Sequence, residues 1–148
     1  MDLCDGWSDF YLVGDLLIDG EHKKIIEMTC TFKTLAEQNR LEYREALDLV
    51  REVMYHITTH FQHEEFLLDV YGGDPEGIKH HKEEHRRFYK ILSSAIQEVQ
   101  DQKSQSFQDA CLALIGDLHQ LIADHIATVD KETLGPCLAE HSKKQFLR

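Results

Sequence analysis

This chain has no long apolar run, and its first ten residues carry no basic charge. No stretch approaches the roughly 18 to 20 apolar residues that a bilayer span requires. The opening MDLCDGWSDF is acidic and lacks both the basic and the apolar region of a secretory signal. The two absences predict a soluble, cytoplasmic protein with no membrane partner. Basic charge is scarce too: 16 Lys and Arg stand against 27 Asp and Glu, a formal net charge of −11, so nucleic acid is not an expected partner. Cys4, Cys30, Cys111 and Cys137 are scattered and form no CxxC pair. They read as reduced, structural thiols rather than disulfide or redox partners.

Punctuation is also sparse. Two prolines and eight glycines in 148 residues separate long segments rich in Leu, Glu, Lys and Ala at helical spacing. The expected architecture is all-α, an antiparallel up-down four-helix bundle in one domain. It comprises an N-terminal arm over 1–18, a bundle over about 19–134 and a tail over 135–148. Asp19 is the expected cap of a first helix reaching about Asn39, and a second helix is expected from about Leu41 to Tyr71. GGDPEG then breaks the chain, with Asp74 and Pro75 suited to start a third helix that ends near Asp101. Ser106 and Asp109 resemble a capping box for a fourth helix, which runs toward Glu132 and closes at Gly135 and Pro136.

Residues spaced alternately three and four apart form the buried stripe of each helix. The first reads His22, Ile25, Thr29, Phe32, Ala36, and the second Leu47, Val50, Met54, Ile57, His60, Glu64, Leu67, Tyr71. The third reads Ile78, His81, His85, Phe88, Leu92, Ala95, Val99, and the fourth Phe107, Cys111, Leu114, Leu118, Leu121, His125. Every stripe carries histidine. His22 and the pair His81 and His85 begin their helices, whereas His60, Glu64 and His125 lie near the ends of theirs. In an up-down bundle those positions share one end. His56, His63, His80, His119 and His141 fall off the stripes and are assigned to solvent or to the boundary.

Five imidazoles and a carboxylate buried without partners would cost several kcal/mol each. A transition metal compensates such groups, and nitrogen with carboxylate oxygen suits iron, zinc, copper or nickel. No sulfur joins the cluster, which excludes a zinc–thiolate site there. Five nitrogens exceed the needs of one tetrahedral zinc and favour two metals that share a bridging carboxylate.

HFQHEE with HKEEHRRF, preceded by WSDFYLVGDLLIDGEH and followed by HIATVD, resembles the hemerythrin family, most closely its single-domain form, bacteriohemerythrin. The resemblance spans roughly Trp7 to Leu134. It implies two non-haem iron ions with a bridging oxo or hydroxo group and O2 as ligand. By the same resemblance His81, His85 and His125 hold one iron, His22 and His60 hold the other, and Glu64 and Asp130 bridge them. Asp130 enters through the resemblance alone, because it lies ~140° around an ideal helix from His125. A local π-type widening would turn it inward. The chain departs from many relatives at Leu121, where they carry tryptophan.

The function so implied is reversible O2 binding for storage, transport and delivery, or sensing, with no enzymatic role required. The wall expected around the O2 site comprises Ile25, Ile57, Phe61 and Phe88. The alternatives are a di-iron enzyme (a peroxidase, or one that detoxifies nitric oxide or oxygen) and a ligand-dependent signalling module with a separate protein partner. No ExxH pair of the ferritin-like oxidases occurs among the core residues, which favours binding.

Overall fold

The computed structural model describes Cys4 and residues 12–72, 74–101 and 107–134, apart from the side chains of residues 131 and 132. Helix α1 spans Leu16–Glu37. Its cap is Asp15 rather than the expected Asp19: the Asp15 carboxylate accepts from the Ile18 amide at 3.0 Å. Asp19 serves the preceding chain instead, accepting from the amides of Val13 at 2.8 Å and Gly14 at 3.2 Å. Gly14 takes a φ of +103°, a region that favours glycine, in the stretch whose amides meet Asp19. At the other end Asn39 adopts φ 55°, a left-handed conformation that asparagine tolerates, and terminates α1.

Helix α2 spans Tyr43–Tyr71 and so begins two residues later than expected. Leu41 is drawn into the core, and its carbonyl accepts from the Gln108 side chain. Helix α3, Pro75–Asp101, starts as the Asp74–Pro75 pair predicts, with Asp74 accepting from the Glu76 amide at 3.3 Å. Helix α4, Phe107–Asp124, passes directly into a π-helical segment, His125–Leu134. The expected cap Ser106 and the closing Gly135–Pro136 lie outside the described residues, as do Cys137 and His141.

Helix α1 packs against α2 and α4, and α3 against α2, α4 and the π segment, which makes a four-helix bundle. The start of α1 meets the ends of α2 and α4 and the start of α3, so the helices alternate in direction. Most stripe residues are buried as the spacing predicts. Helix α2 differs: Ala46, Val53 and Leu68 are buried, while Leu47, Met54 and Leu67 are only partly so. A long helix packed against two neighbours buries a face wider than one line, and its deepest positions step sideways along it.

Two apolar clusters result. The larger runs from Ile25 and Ile57 through Leu118 to Val99, and a small one of Ile18, Leu68 and Leu134 closes the other end, flanked by Ile78 and Tyr71. Ile18 lies one turn before His22, Leu68 one turn after Glu64 and Ile78 one turn before His81. The polar groups are thus enclosed between the two clusters.

The expected reduced state of the thiols is overturned for one pair. Cys4 and Cys30 form a disulfide with their Cα atoms 5.5 Å apart, while Cys111 is free and buried. Their separation of 26 residues gives no sign of proximity in the sequence.

Gly72 allows a close approach where α2 ends. A Cβ there would meet the Leu68 carbonyl oxygen and come within 2.8 Å of Ile78 Cδ1. Gly72→Ala is therefore expected to cost about 1–3 kcal/mol in urea unfolding, the range for overpacking a filled site. An unchanged midpoint would show that the turn yields freely.

Candidate metal centre

All seven residues named from the sequence meet at the enclosed end of the bundle, and all are buried. Glu64 and Asp130 are fully inaccessible. Each carboxylate divides its oxygens between two groups of histidines. His60 Nε2 lies against Glu64 Oε1, and His22 Nε2 is 3.6 Å from that same oxygen. The other oxygen, Oε2, is 2.9 Å from His81 Nε2, 3.6 Å from His85 Nε2 and 4.0 Å from His125 Nε2. Asp130 repeats the division, with Oδ2 3.1 Å from His22, and Oδ1 2.9 Å from His125 and 3.2 Å from His81.

Asp130 reaches this position through the π segment. On an α-helix it would point ~140° away from His125, but i→i+5 hydrogen bonding brings residues five apart toward one face. Thr128 donates to the Asp124 carbonyl at 2.6 Å and Thr133 to the Val129 carbonyl, covering acceptors at the junction and within the segment.

Outer partners fix which nitrogen carries a proton. The Thr133 hydroxyl gives its hydrogen to Val129, so toward His81 Nδ1, at 2.7 Å, it accepts. The neutral His81 ring therefore keeps its lone pair on Nε2, facing the carboxylates. Glu21 does the same for His60, whose Nδ1–H donates to Oε1 at 3.2 Å, and its other oxygen takes the half-buried His63 at 2.8 Å. Such partners orient metal-ligating histidines and raise their basicity. His85 Nδ1, 3.6 Å from Glu65 Oε2, makes no such hydrogen bond. Sequence reasoning missed Glu21 and Thr133, because each acts on a ring from another helix. His56, outside the stripes, stays outside the cluster with its ring against Tyr55.

The protonation pattern follows from the same contacts. Burial opposes charge on His60 and His81, yet the adjoining carboxylates prevail and raise them to about 10 and about 9. Burial and the neighbouring rings His125 and His81 push His85 down. Burial also resists ionisation of Glu64, but His60, His22 and His81 hold it well below the ordinary carboxylate range. Asp130, opposed by burial and by Glu64, is held at about 2 by His125 and His22.

The donor set fits a pair of cations. His22 Nε2, His60 Nε2, Glu64 Oε1 and both Asp130 oxygens are buried without a hydrogen-bond partner. His85 and His125 aim Nε2 atoms at each other across 3.1 Å. Two neutral rings can share only one proton there, whereas cations would use every lone pair. Glu64, His81, His85, His125 and Asp130 offer ligand atoms within 4.8 Å of one another, as do His22, His60, Glu64 and Asp130. The two carboxylates belong to both sets.

A sequence model of the hemerythrin HHE cation-binding domain matches residues 14–136. The chain belongs to the hemerythrin family. Comparisons with curated proteins and with solved structures gave no match. In this hemerythrin the buried His, Glu and Asp cluster is a metal-binding arrangement. Among the described residues no helix is long and apolar enough to cross a membrane.

An apolar cavity of about 20 Å³ adjoins the centre, lined by His22, His60, Ile25, Ile57, Phe61 and Ile126 among others. That is room for about one water-sized molecule. Phe61 stacks on His85 with centroids 3.8 Å apart and meets Phe88 edge-on. Leu121, partly buried, lines a second cavity of about 150 Å³ that reaches His125 from the α3 side.

The metal-free protein should show a definite pH profile. Raised imidazoles stabilise the fold fully below 6.5, and that contribution is lost as pH climbs through about 9 and about 10. Lowered carboxylates stabilise it above 4.5, and theirs is lost on acidification. The unfolding temperature of metal-free protein is expected to peak between these values and fall toward pH 10. A flat alkaline limb in a thermal scan would refute the assignment. Phe61→Ala is expected to cost about 3–5 kcal/mol, as for other buried aromatic truncations, and to weaken metal retention in a chelator competition.

Proposed function

We propose that this hemerythrin binds O2 reversibly at two non-haem irons held by His22, His60, Glu64, His81, His85, His125 and Asp130. The observation that carries the reading is the division of each carboxylate between a three-histidine and a two-histidine set. With Glu64 and Asp130 shared, the His22–His60 set has one protein ligand fewer than the other, which leaves room for an external molecule. The small apolar cavity touches both rings of that set and, of the other set, His125 alone. Iron there would supply the electrons and the open position that O2 requires.

The chain's own residues supply the rest. Glu64 and Asp130 balance cationic charge, and the Thr133 and Glu21 contacts hold the histidine lone pairs inward. Ile25, Ile57, Phe61 and Ile126 exclude water, which keeps protons from the bound molecule and limits its irreversible loss. Apart from the proposed ligands, the residues lining this cavity are apolar, so none is placed as a general acid or base. That composition favours binding over turnover.

Metal analysis and visible spectra, taken anaerobically after reduction, then in air, then after argon sparging, test the reading. Two irons per chain and an absorption that rises in air and fades under argon are expected. One zinc, or irreversible oxidation, would displace O2 carriage in favour of an enzymatic or signalling role. His60→Ala and Glu64→Ala should each abolish loading at two metals per chain, and full loading in both would refute these ligands. Leu121→Trp, filling the cavity beside His125, is expected to slow irreversible oxidation in air several-fold.

A further inference from the structure

A second group of ligating side chains lies outside this centre, where Cys4 meets Cys30 of α1 and His119 of α4. We propose that Cys4, Cys30 and His119 form a thiol-dependent site for a soft divalent cation such as Zn2+, closed while the two cysteines are joined. Each offers a ligand atom, and the three atoms lie within 4.8 Å of one another. All three residues are partly buried, screened from bulk water yet within reach of a small ion. His119 precedes His125 by six residues, roughly 9 Å along a helix, so the site is separate from the carboxylate-bridged centre.

The Thr29 hydroxyl fixes the tautomer of the imidazole. Buried Thr29 donates its hydroxyl hydrogen to the Ile26 carbonyl at 2.8 Å, so toward His119 Nε2, at 2.7 Å, it accepts. Nε2 therefore carries the proton, and the lone pair of the neutral ring is on Nδ1. Thr133 and His81 use the same device in the candidate metal centre. The fully buried Thr29 hydroxyl takes the place of the outer acceptor to which a metal-binding histidine donates its other ring N–H.

Two sulfurs and one nitrogen select a soft or borderline ion, with a water completing the tetrahedron. Zinc–sulfur bonds of about 2.3 Å place tetrahedral thiolates roughly 3.8 Å apart. The Cα separation of 5.5 Å allows this once the sulfur–sulfur bond is broken. Opening needs two electrons and two protons. A dithiol supplies both and becomes a disulfide, leaving two cysteine thiols whose protons are released as the cation binds.

Co2+, a spectroscopic stand-in for Zn2+, tests the site in the full chain as purified, before and after a phosphine reductant. The phosphine and water open the disulfide to two thiols and phosphine oxide, leaving no competing thiol. One added Co2+ per chain with thiolate-to-cobalt absorption is expected after reduction and none before it. Cys4→Ser, which lies outside the four helices, should abolish that absorption, His119→Ala should weaken binding at least tenfold, and Cys111→Ser should change neither. The same uptake in both redox states, absorption that survives Cys4→Ser, or no uptake after reduction would overturn the proposal and leave the disulfide as a structural link.

Discussion

Two carboxylates with no access to water are the constraint on which the rest of this structure depends. Glu64 and Asp130 are each fully buried, and an isolated buried carboxylate would be neutralised or would unfold its surroundings. Here both are held ionised, by His22, His60, His81 and His125, which approach from every helix. Without metal, protons on His60 and His81 provide the compensating charge. In the proposed metal-bound form cations would take their place, which would couple loading to proton release. Folding and metal binding thus draw on one set of groups.

The bundle answers this constraint by separating its apolar mass. Its larger cluster occupies the body, and Ile18, Leu68 and Leu134 close the metal end. A polar centre sealed at both ends is dry, which strengthens its internal electrostatics and confines what reaches it. The remaining access is on a molecular scale: a cavity of about 20 Å³ beside His22 and His60, and a wider one at Leu121. Family membership and the clustered donors make this a metal-binding hemerythrin. The unequal histidine sets and the small apolar cavity are what support O2 as its ligand.

The π segment resolves a conflict between helix period and site geometry. His125 and Asp130 meet at one centre, but α-helical spacing would send them to different faces. Widening the helix over His125–Leu134 reconciles them, with Thr128 and Thr133 covering carbonyls there. Thr133 then acts again, as the acceptor that fixes His81. One residue thereby links the local backbone to the ligand geometry.

The sequence by itself determined the helices, their alternation and the inward faces of His22, His60, Glu64, His81, His85 and His125. All of these follow from apolar periodicity and from breaks such as GGDP, which are local. Asp130 was legible only through resemblance, because its orientation depends on a change of helix type that periodicity does not encode. Tertiary structure alone decided the lateral drift of the α2 face and the Cys4–Cys30 bond. It also decided the roles of Glu21 and Thr133 behind the histidines. Each of these depends on how a side chain from one segment meets another segment. That is set by helix rotation and register, and a pattern of one-dimensional spacing contains neither.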